Sequence, residues 1–291
     1  MLVVIATSTL DYVAGKARLG GPAYYIGLTL SHLDSRTLLV TTRSSVSRYL
    51  SRLTRYFDVV EAGSGETVFE IELHESGNRS LRVLRRSFLE VETLAKVLVD
   101  RSLVLISTTY GELDPRHLVE LTRGRNVVVD IQGFVRRVSG DGRVVHDTRK
   151  VFEVGKYLEA SKWSILRGER EEFPKECWVS PLECAERLRS DIVITDGEKP
   201  FKVLSRRDEC LYEITPLQGF HGESIGLGDV FTAVLTYYLF IEGSEFLDAA
   251  TVASVAAALK LRGRLPWFTV QELDVLKRKV SINRSTCRRA P

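Results

Sequence analysis

Gly222-Glu223-Ser224-Ile225-Gly226-Leu227-Gly228-Asp229-Val230-Phe231 is the stretch on which the fold of this 291-residue chain turns, and it stands directly before a long helical pattern around Asp229–Ile241. Two glycines separated by one residue let the backbone turn tightly, so that successive N–H groups and the positive end of the helix face one concavity. Such a concavity suits a phosphate. A carboxylate in the first helical turn would compete with the bound anion unless it had a proton to take. Asp229 is therefore a candidate general base for a hydroxyl beside a phosphoryl group in transfer. Taken alone the segment is short, and a glycine turn with a helix-starting Asp is the simpler reading.

Around it, short β-branched runs alternate with longer amphipathic stretches, the α/β pattern of strands feeding helices in a mostly parallel sheet. Core strands are expected at Leu2–Ala6, Thr37–Val40, Leu103–Ser107, Asn126–Asp130, Ser164–Leu166 and Asp191–Thr195. Helices are expected at Pro22–Leu33, Val91–Val99, Asp114–Leu121, Val151–Leu158 and Pro181–Arg189. The C-terminal third adds strands at Phe201–Ser205 and Leu211–Ile214, then helices around Asp229–Ile241, Phe246–Leu261 and Val270–Val280. Thr67–Leu73 and Leu81–Leu84 alternate apolar with polar residues about the turn signal Glu75-Ser76-Gly77-Asn78, which predicts a β-hairpin with one solvated face. It is either a cover over a site or decoration. The basic tail Lys277–Pro291 reads as frayed.

Three further groups could carry chemistry. Gly20-Gly21-Pro22-Ala23 opens a helix with Pro at its first position, and the paired glycines allow close backbone approach. Asp11 follows the first strand at the carboxyl edge, where open α/β sheets bind ligands, or is a solvated loop residue. Glu169-Arg170-Glu171-Glu172 groups carboxylates that hold hydrated Mg2+ near a polyphosphate or start a solvated helix. Gly63-Ser64-Gly65 lacks the third glycine of a dinucleotide fingerprint, and the absence of GxxxxGK[ST] excludes a P-loop.

Composition narrows the partners. With 41 Lys+Arg against 38 Asp+Glu, the net charge of +3 is small and dispersed, which argues against nucleic acid. No apolar run approaches the roughly 18 residues of a membrane span. The Leu2–Ala6 run lacks the basic flank and cleavage site of a signal peptide, so a cytoplasmic protein with no membrane partner is expected. Cys177, Cys184, Cys210 and Cys287 form no CxxC pair and read as buried or incidental thiols, not a zinc site or a disulfide scaffold. Thirty Arg against eleven Lys, with a single Met, fit a thermophile and a GC-rich genome equally.

In their order, these segments resemble the PfkB (ribokinase-like) family of carbohydrate kinases over essentially the whole chain. The family's DTTGAGD signature is matched by Glu223-Ser224-Ile225-Gly226-Leu227-Gly228-Asp229, and its di-glycine motif by Gly20-Gly21. NxxE falls on Glu169 to Glu172, and TxGxxG on Thr195-Asp196-Gly197-Glu198-Lys199-Pro200. Asp130-Ile131-Gln132-Gly133-Phe134-Val135-Arg136 is similar to the DIQ…R segment of the myo-inositol kinase-like branch. Glu66-Thr67-Val68-Phe69-Glu70 and Val83-Leu84-Arg85-Arg86 are similar to its lid region.

The resemblance implies a ribokinase-like three-layer α/β/α fold with a mostly parallel central sheet and a small β-lid. It implies one kinase domain over 1–291 with lid segments near 11–20 and 66–86. The implied activity is ATP-dependent and Mg2+-requiring transfer of the γ-phosphoryl group to a hydroxyl of a sugar or cyclitol, myo-inositol favoured. Asp229 would take the hydroxyl proton while the Gly226, Leu227 and Gly228 amides stabilise the transferred group. Asp11, Gly20, Gly21, Tyr25, Gln132 and Arg136 would meet the acceptor. Thr195, Gly197, Gly226 and Gly228 would border the nucleotide, and Glu172, through water, and Glu169 would hold the metal. Glu223 and Ile225 depart from the signature's Asp and second Thr, which implies an altered monovalent-cation site near the anion hole. Glu169 stands for the Asn of NxxE, and Tyr25 for a substrate-binding Asn. The short span from Asp11 to Gly20 implies a reduced lid with fewer strands from this segment, which means either a broader substrate or a lid completed by a second subunit in a homodimer. Alternatives are a ribose or nucleoside kinase, a sugar-phosphate kinase using Arg43, Arg82, Arg85 or Arg86, and a non-catalytic sugar- or nucleotide-binding sensor.

Overall fold

Leu2–Ala6 reads Leu-Val-Val-Ile-Ala and is buried at every position, as a strand covered on both faces must be. Leu2, Val4 and Ala6 pack into one core and Val3 and Ile5 into another, the period-two alternation of a strand. The computed structural model describes residues 1–33, 36–43, 57–73 and 79–287. Its strands are β1 Leu2–Ala6, β2 Thr9–Val13, β3 Lys16–Gly20, β4 Thr37–Arg43, β5 Asp58–Ser64, β6 Thr67–Leu73, β7 Arg79–Arg85, β8 Phe88–Leu89, β9 Leu103–Ser107, β10 Asn126–Asp130, β11 Arg136–Val138, β12 Val144–His146, β13 Trp163–Glu169, β14 Asp191–Asp196, β15 Lys199–Ser205, β16 Cys210–Thr215 and β17 Ser281–Cys287.

Among the described residues an 11-stranded sheet runs in the order β17-β16-β15-β14-β13-β10-β9-β1-β4-β5-β8. Neighbours from β14 to β5 are parallel. The outer strands β15, β16, β17 and β8 are antiparallel. Helices Pro22–His32, Leu227–Phe240, Phe246–Lys260 and Val270–Leu276 cover one face, and Val91–Val97, Leu118–Thr122, Lys150–Tyr157 and Pro181–Leu188 the other. This is the expected three-layer α/β/α arrangement. The carboxyl ends of β1, β9, β10 and β13 open on one edge, the place where parallel sheets bind ligands.

A four-stranded sheet, β3-β2-β6-β7, stands beside the main one. β6 and β7 form the expected antiparallel hairpin, while its predicted turn, Glu75 to Asn78, lies outside the described residues. Asp11 is not the solvated loop residue of the alternative reading, since it lies buried within β2, which pairs with β3 and runs parallel to β6. The tail is not frayed over Ser281–Cys287, because β17 pairs with β16 along its length, with one register shift at Ser285. Nor are the cysteines free, since Cys177 bonds Cys184 and Cys210 bonds Cys287. Spacing could not show either bridge. The first joins two consecutive helices, Lys175–Val179 and Pro181–Leu188, and the second joins residues facing each other across β16 and β17.

Candidate active site

Gly226 adopts φ +82° as the residue before helix Leu227–Phe240, a left-handed conformation that glycine takes without strain. The Tyr25 ring lies against it, so closely that a Cβ on Gly226 would fall 2.5 Å from the ring carbons. Leu227 donates its N–H to the Ser224 carbonyl at 3.3 Å, so of the three expected amide donors this one is already engaged. The Gly228 N–H, in the first turn of the helix, has no carbonyl one turn back to accept it. Asp229 is buried in that first turn.

The other end of the site is built on β2, β3 and helix Pro22–His32. Asp11 accepts a hydrogen bond from Thr9 Oγ1 at 2.7 Å. Gly20 is cross-strand partner to Thr9, and any side chain there would strike the Asp11 carboxylate. Gly21, at φ +81°, begins the helix with no room beside the Thr7 carbonyl and the Thr9 amide. The two glycines therefore let the β2–β3 hairpin, with its buried carboxylate, lie directly on the end of β1.

These parts converge. Asp11, Gly21, Tyr25, Gln132, Arg136, Glu169, Glu172, Gly226, Leu227, Gly228 and Asp229 line an inner pocket of about 80 Å³. Gly20 stands behind Asp11 and is not part of the wall. An outer cleft of about 1730 Å³ shares Arg136, Arg167, Glu169, Leu227 and Gly228 with the pocket and adds Thr195 and Gly197. Its lining also includes the apolar side chains of Phe201, Leu217, Phe220, Ala257 and Leu261.

Positive charge inside the site is carried by two arginines, Arg136, which is half-buried, and Arg167, which is buried. Arg136 donates to the Thr109 carbonyl at 3.3 Å and lies 3.8 Å from the Glu172 carboxylate. Arg167 carries no signal in the sequence, where it only follows the expected strand Ser164–Leu166. Its guanidinium bonds Asp130 at 3.0 Å and the Thr195 hydroxyl at 3.0 Å, and it packs against Gly228 where a Cβ would meet it at 2.5 Å. Burial alone would lower the Arg167 pKa, but Asp130, Glu169 and Glu172 outweigh it and raise the pKa. A fixed positive charge therefore stands beside the glycine pair. Lys260 was also missed, and its Nζ donates to the Glu223 carbonyl at 2.8 Å.

Glu169 faces both cavities, whereas Glu172 is committed to structure. One Glu172 oxygen accepts the Glu169 N–H at 2.8 Å and the other faces Arg136. Burial first, then Glu169 and Asp130, push its carboxyl up to about 8 against the opposing pull of Arg136. A hydrated Mg2+ takes one or two carboxylates together with substrate phosphates, so the pair fits such an ion with Glu169 as the outward ligand and Glu172 orienting it.

The fold is that of the ribokinase-like kinases. No family model matches the chain, and no curated protein matches it. Similar solved structures include a pyrophosphate-dependent kinase of the ribokinase family complexed with a pyrophosphate analogue and myo-inositol, at 18% identity over 94% of this chain and 100% of that one, TM-score 0.72. The ribokinase of Thermotoga maritima aligns at 14% identity over 95% and 99%, TM-score 0.68. The nucleoside kinase of Burkholderia thailandensis with inosine aligns at 16% over 96% and 97%, TM-score 0.68. Among the described residues no helix is long and apolar enough to cross a membrane.

Proposed function

We propose that this chain is a kinase of a single domain, with the four-stranded sheet as its lid, that transfers the terminal phosphoryl group of a donor to a hydroxyl of a sugar or cyclitol. The observation that carries it is the meeting of Asp229, the Gly226–Gly228 helix start and Asp11 in one pocket. Asp11 accepts two adjacent acceptor hydroxyls, as a carboxylate can. Asp229 takes the proton of the attacking hydroxyl, and the amides at the helix start with the Arg167 guanidinium meet the charge on the group in transfer. Glu169 would hold Mg2+, which when bound neutralises phosphate charge.

ATP is the favoured donor because the apolar side chains in the outer cleft offer a surface for a base. Pyrophosphate is the second reading, favoured by Arg136 and Arg167 and by the pyrophosphate-dependent neighbour with myo-inositol, the favoured acceptor here. A sugar-phosphate acceptor has less support. Arg82 and Arg85 lie 3.7 and 3.9 Å from Glu70 and Glu66, and Arg86 bonds the Gly111 carbonyl; the Arg43 side chain lies outside the described residues.

The test is phosphoryl transfer by wild type and Asp229→Asn over a polyol, ribose and nucleoside panel, with ATP and pyrophosphate as donors. The expected result is transfer to a cyclitol and a loss of about 100-fold in the variant. Wild-type turnover in Asp229→Asn would remove the assigned base. Ligand binding with no transfer to any acceptor would mean a sensor.

A further inference from the structure

The carbonyls of Glu223 and Ile225, two alternate residues just before the glycine pair, both accept hydrogen bonds from one atom, Lys260 Nζ. Lys260 ends helix Phe246–Lys260 and is 4% exposed. Its ammonium lies 5.3 Å from the centroid of the Tyr25 ring, the same ring that supports Gly226. A lysine in the last turn of a helix ordinarily extends to water. Burying the charge is unfavourable unless fixed acceptors meet it. Converging backbone carbonyls are the chemistry that holds a bare cation, and here their meeting point is filled by a cation that belongs to the chain.

We propose that Lys260 is a tethered cation of the anion-binding loop: it fixes the peptide planes at Glu223 and Ile225 and makes phosphoryl transfer independent of dissolved monovalent cations. A trans peptide unit directs its C=O and N–H to opposite sides. With both carbonyls turned to Lys260, the N–H groups of Ser224 and Gly226 turn away from it, and Ser224 and Gly226 both line the inner pocket. The loop has no freedom to turn elsewhere, because Gly222 lies directly on the Leu261 carbonyl and Gly226 on Tyr25. Lys260 touches neither acceptor nor donor, so it is a positioning residue. Its bonds to the two carbonyls also polarise the peptide units whose amides face the anion.

The effect on turnover rests on the kinase reading; the effect on anion binding does not. At constant ionic strength, wild-type turnover should stay the same when K+ is exchanged for tetramethylammonium. Lys260→Ala should lose about 100-fold in kcat, as for a lost anion-hole donor, with little change in acceptor KM. It should regain activity when K+, NH4+ or ethylammonium is supplied to the vacated carbonyls. Lys260→Met, whose side chain fills the space, should be as slow and not rescued. Titration of pyrophosphate alone should show about tenfold weaker binding in both variants.

A wild-type rate that climbs with K+ overturns the proposal, as does a variant with wild-type kcat and pyrophosphate affinity, or a loss that no cation rescues in a folded Lys260→Ala. If Lys260→Ala does not fold by circular dichroism, the Lys260→Met titration and the wild-type cation exchange decide. If wild type transfers phosphate to nothing, the kinase reading falls, and pyrophosphate binding by Lys260→Met still decides this one.

Discussion

Glu172 shows how a residue committed to the frame of a site makes the whole protein sensitive to pH. Its folded pKa, about 8, lies above the ordinary 4.5, so the folded protein keeps a proton that the unfolded chain releases. The stability it contributes is complete below pH 4.5 and lost as the pH rises through about 8. His146, lowered from 6.5 to about 4 by burial and by Arg136, acts in the opposite sense, and its contribution is complete above pH 6.5. Between pH 6.5 and 8, then, unfolding free energy measured in urea should fall, by at most about 1.4 kcal/mol per pH unit. Glu172→Gln should flatten that slope, and an unchanged slope in the variant would show that the Glu172 carboxyl titrates normally. Legibility at this scale follows sequence distance. Gly226, Gly228 and Asp229 could be read because a turn and a helix start are local chemistry. Arg167 and Lys260 could not, because their partners Asp130, Thr195, Glu223 and Ile225 lie 28 to 37 residues away in the chain.

At the level of elements, buried parallel strands were legible and marginal ones were not. Leu2–Ala6, Leu103–Ser107 and Asn126–Asp130 are as expected to the residue, because a strand covered on both faces must be apolar throughout. β2 and β3 escaped because their two-residue turn is Ala14-Gly15, with both residues at positive φ. Alanine is not the residue such turns announce. β17 escaped for another reason: its residues are almost all exposed, so no apolar pattern marks it. What holds it is the ladder to β16 and the Cys210–Cys287 bridge, which closes a 77-residue separation. Chain-entropy arithmetic gives a loop of that length about 4.5 kcal/mol, against about 2.4 kcal/mol for the 7-residue Cys177–Cys184 loop. Cys287→Ser should therefore lower the melting temperature more than Cys184→Ser does. In Cys287→Ser, hydrogen exchange over Ser281–Thr286 should also become fast. Equal melting temperatures for the two variants would mean that loop length does not govern what each bridge contributes.

For the molecule as a whole, the question raised by the kinase reading is how the acceptor enters. The inner pocket lies between the four-stranded sheet, which supplies Thr9, Asp11, Phe69, Ile71 and Leu81, and the body, which supplies Glu169, Glu172 and Gly226 to Asp229. An acceptor held there touches both, so its entry depends on how closely the sheet and the body are held together. One side-chain link between them is the ion pair of Arg18, on β3, with Glu223, on the loop before helix Leu227–Phe240. Both partners keep solvent access, at 30% and 52% side-chain exposure, and an exposed pair contributes at most about 1 kcal/mol to folding. Its location matters more than its strength, because it joins the sheet that carries Asp11 to the loop that precedes Gly226. Breaking it should leave the fold intact and favour the open arrangement. Arg18→Ala is thus expected to unfold within about 1 kcal/mol of wild type while acceptor KM rises severalfold and donor binding in the absence of acceptor stays unchanged. Stability, KM and donor affinity measured on one preparation separate the outcomes. A KM equal to wild type would mean that closure does not pass through this pair, and a parallel loss of donor affinity would mean that Arg18 acts on the loop itself and not on closure.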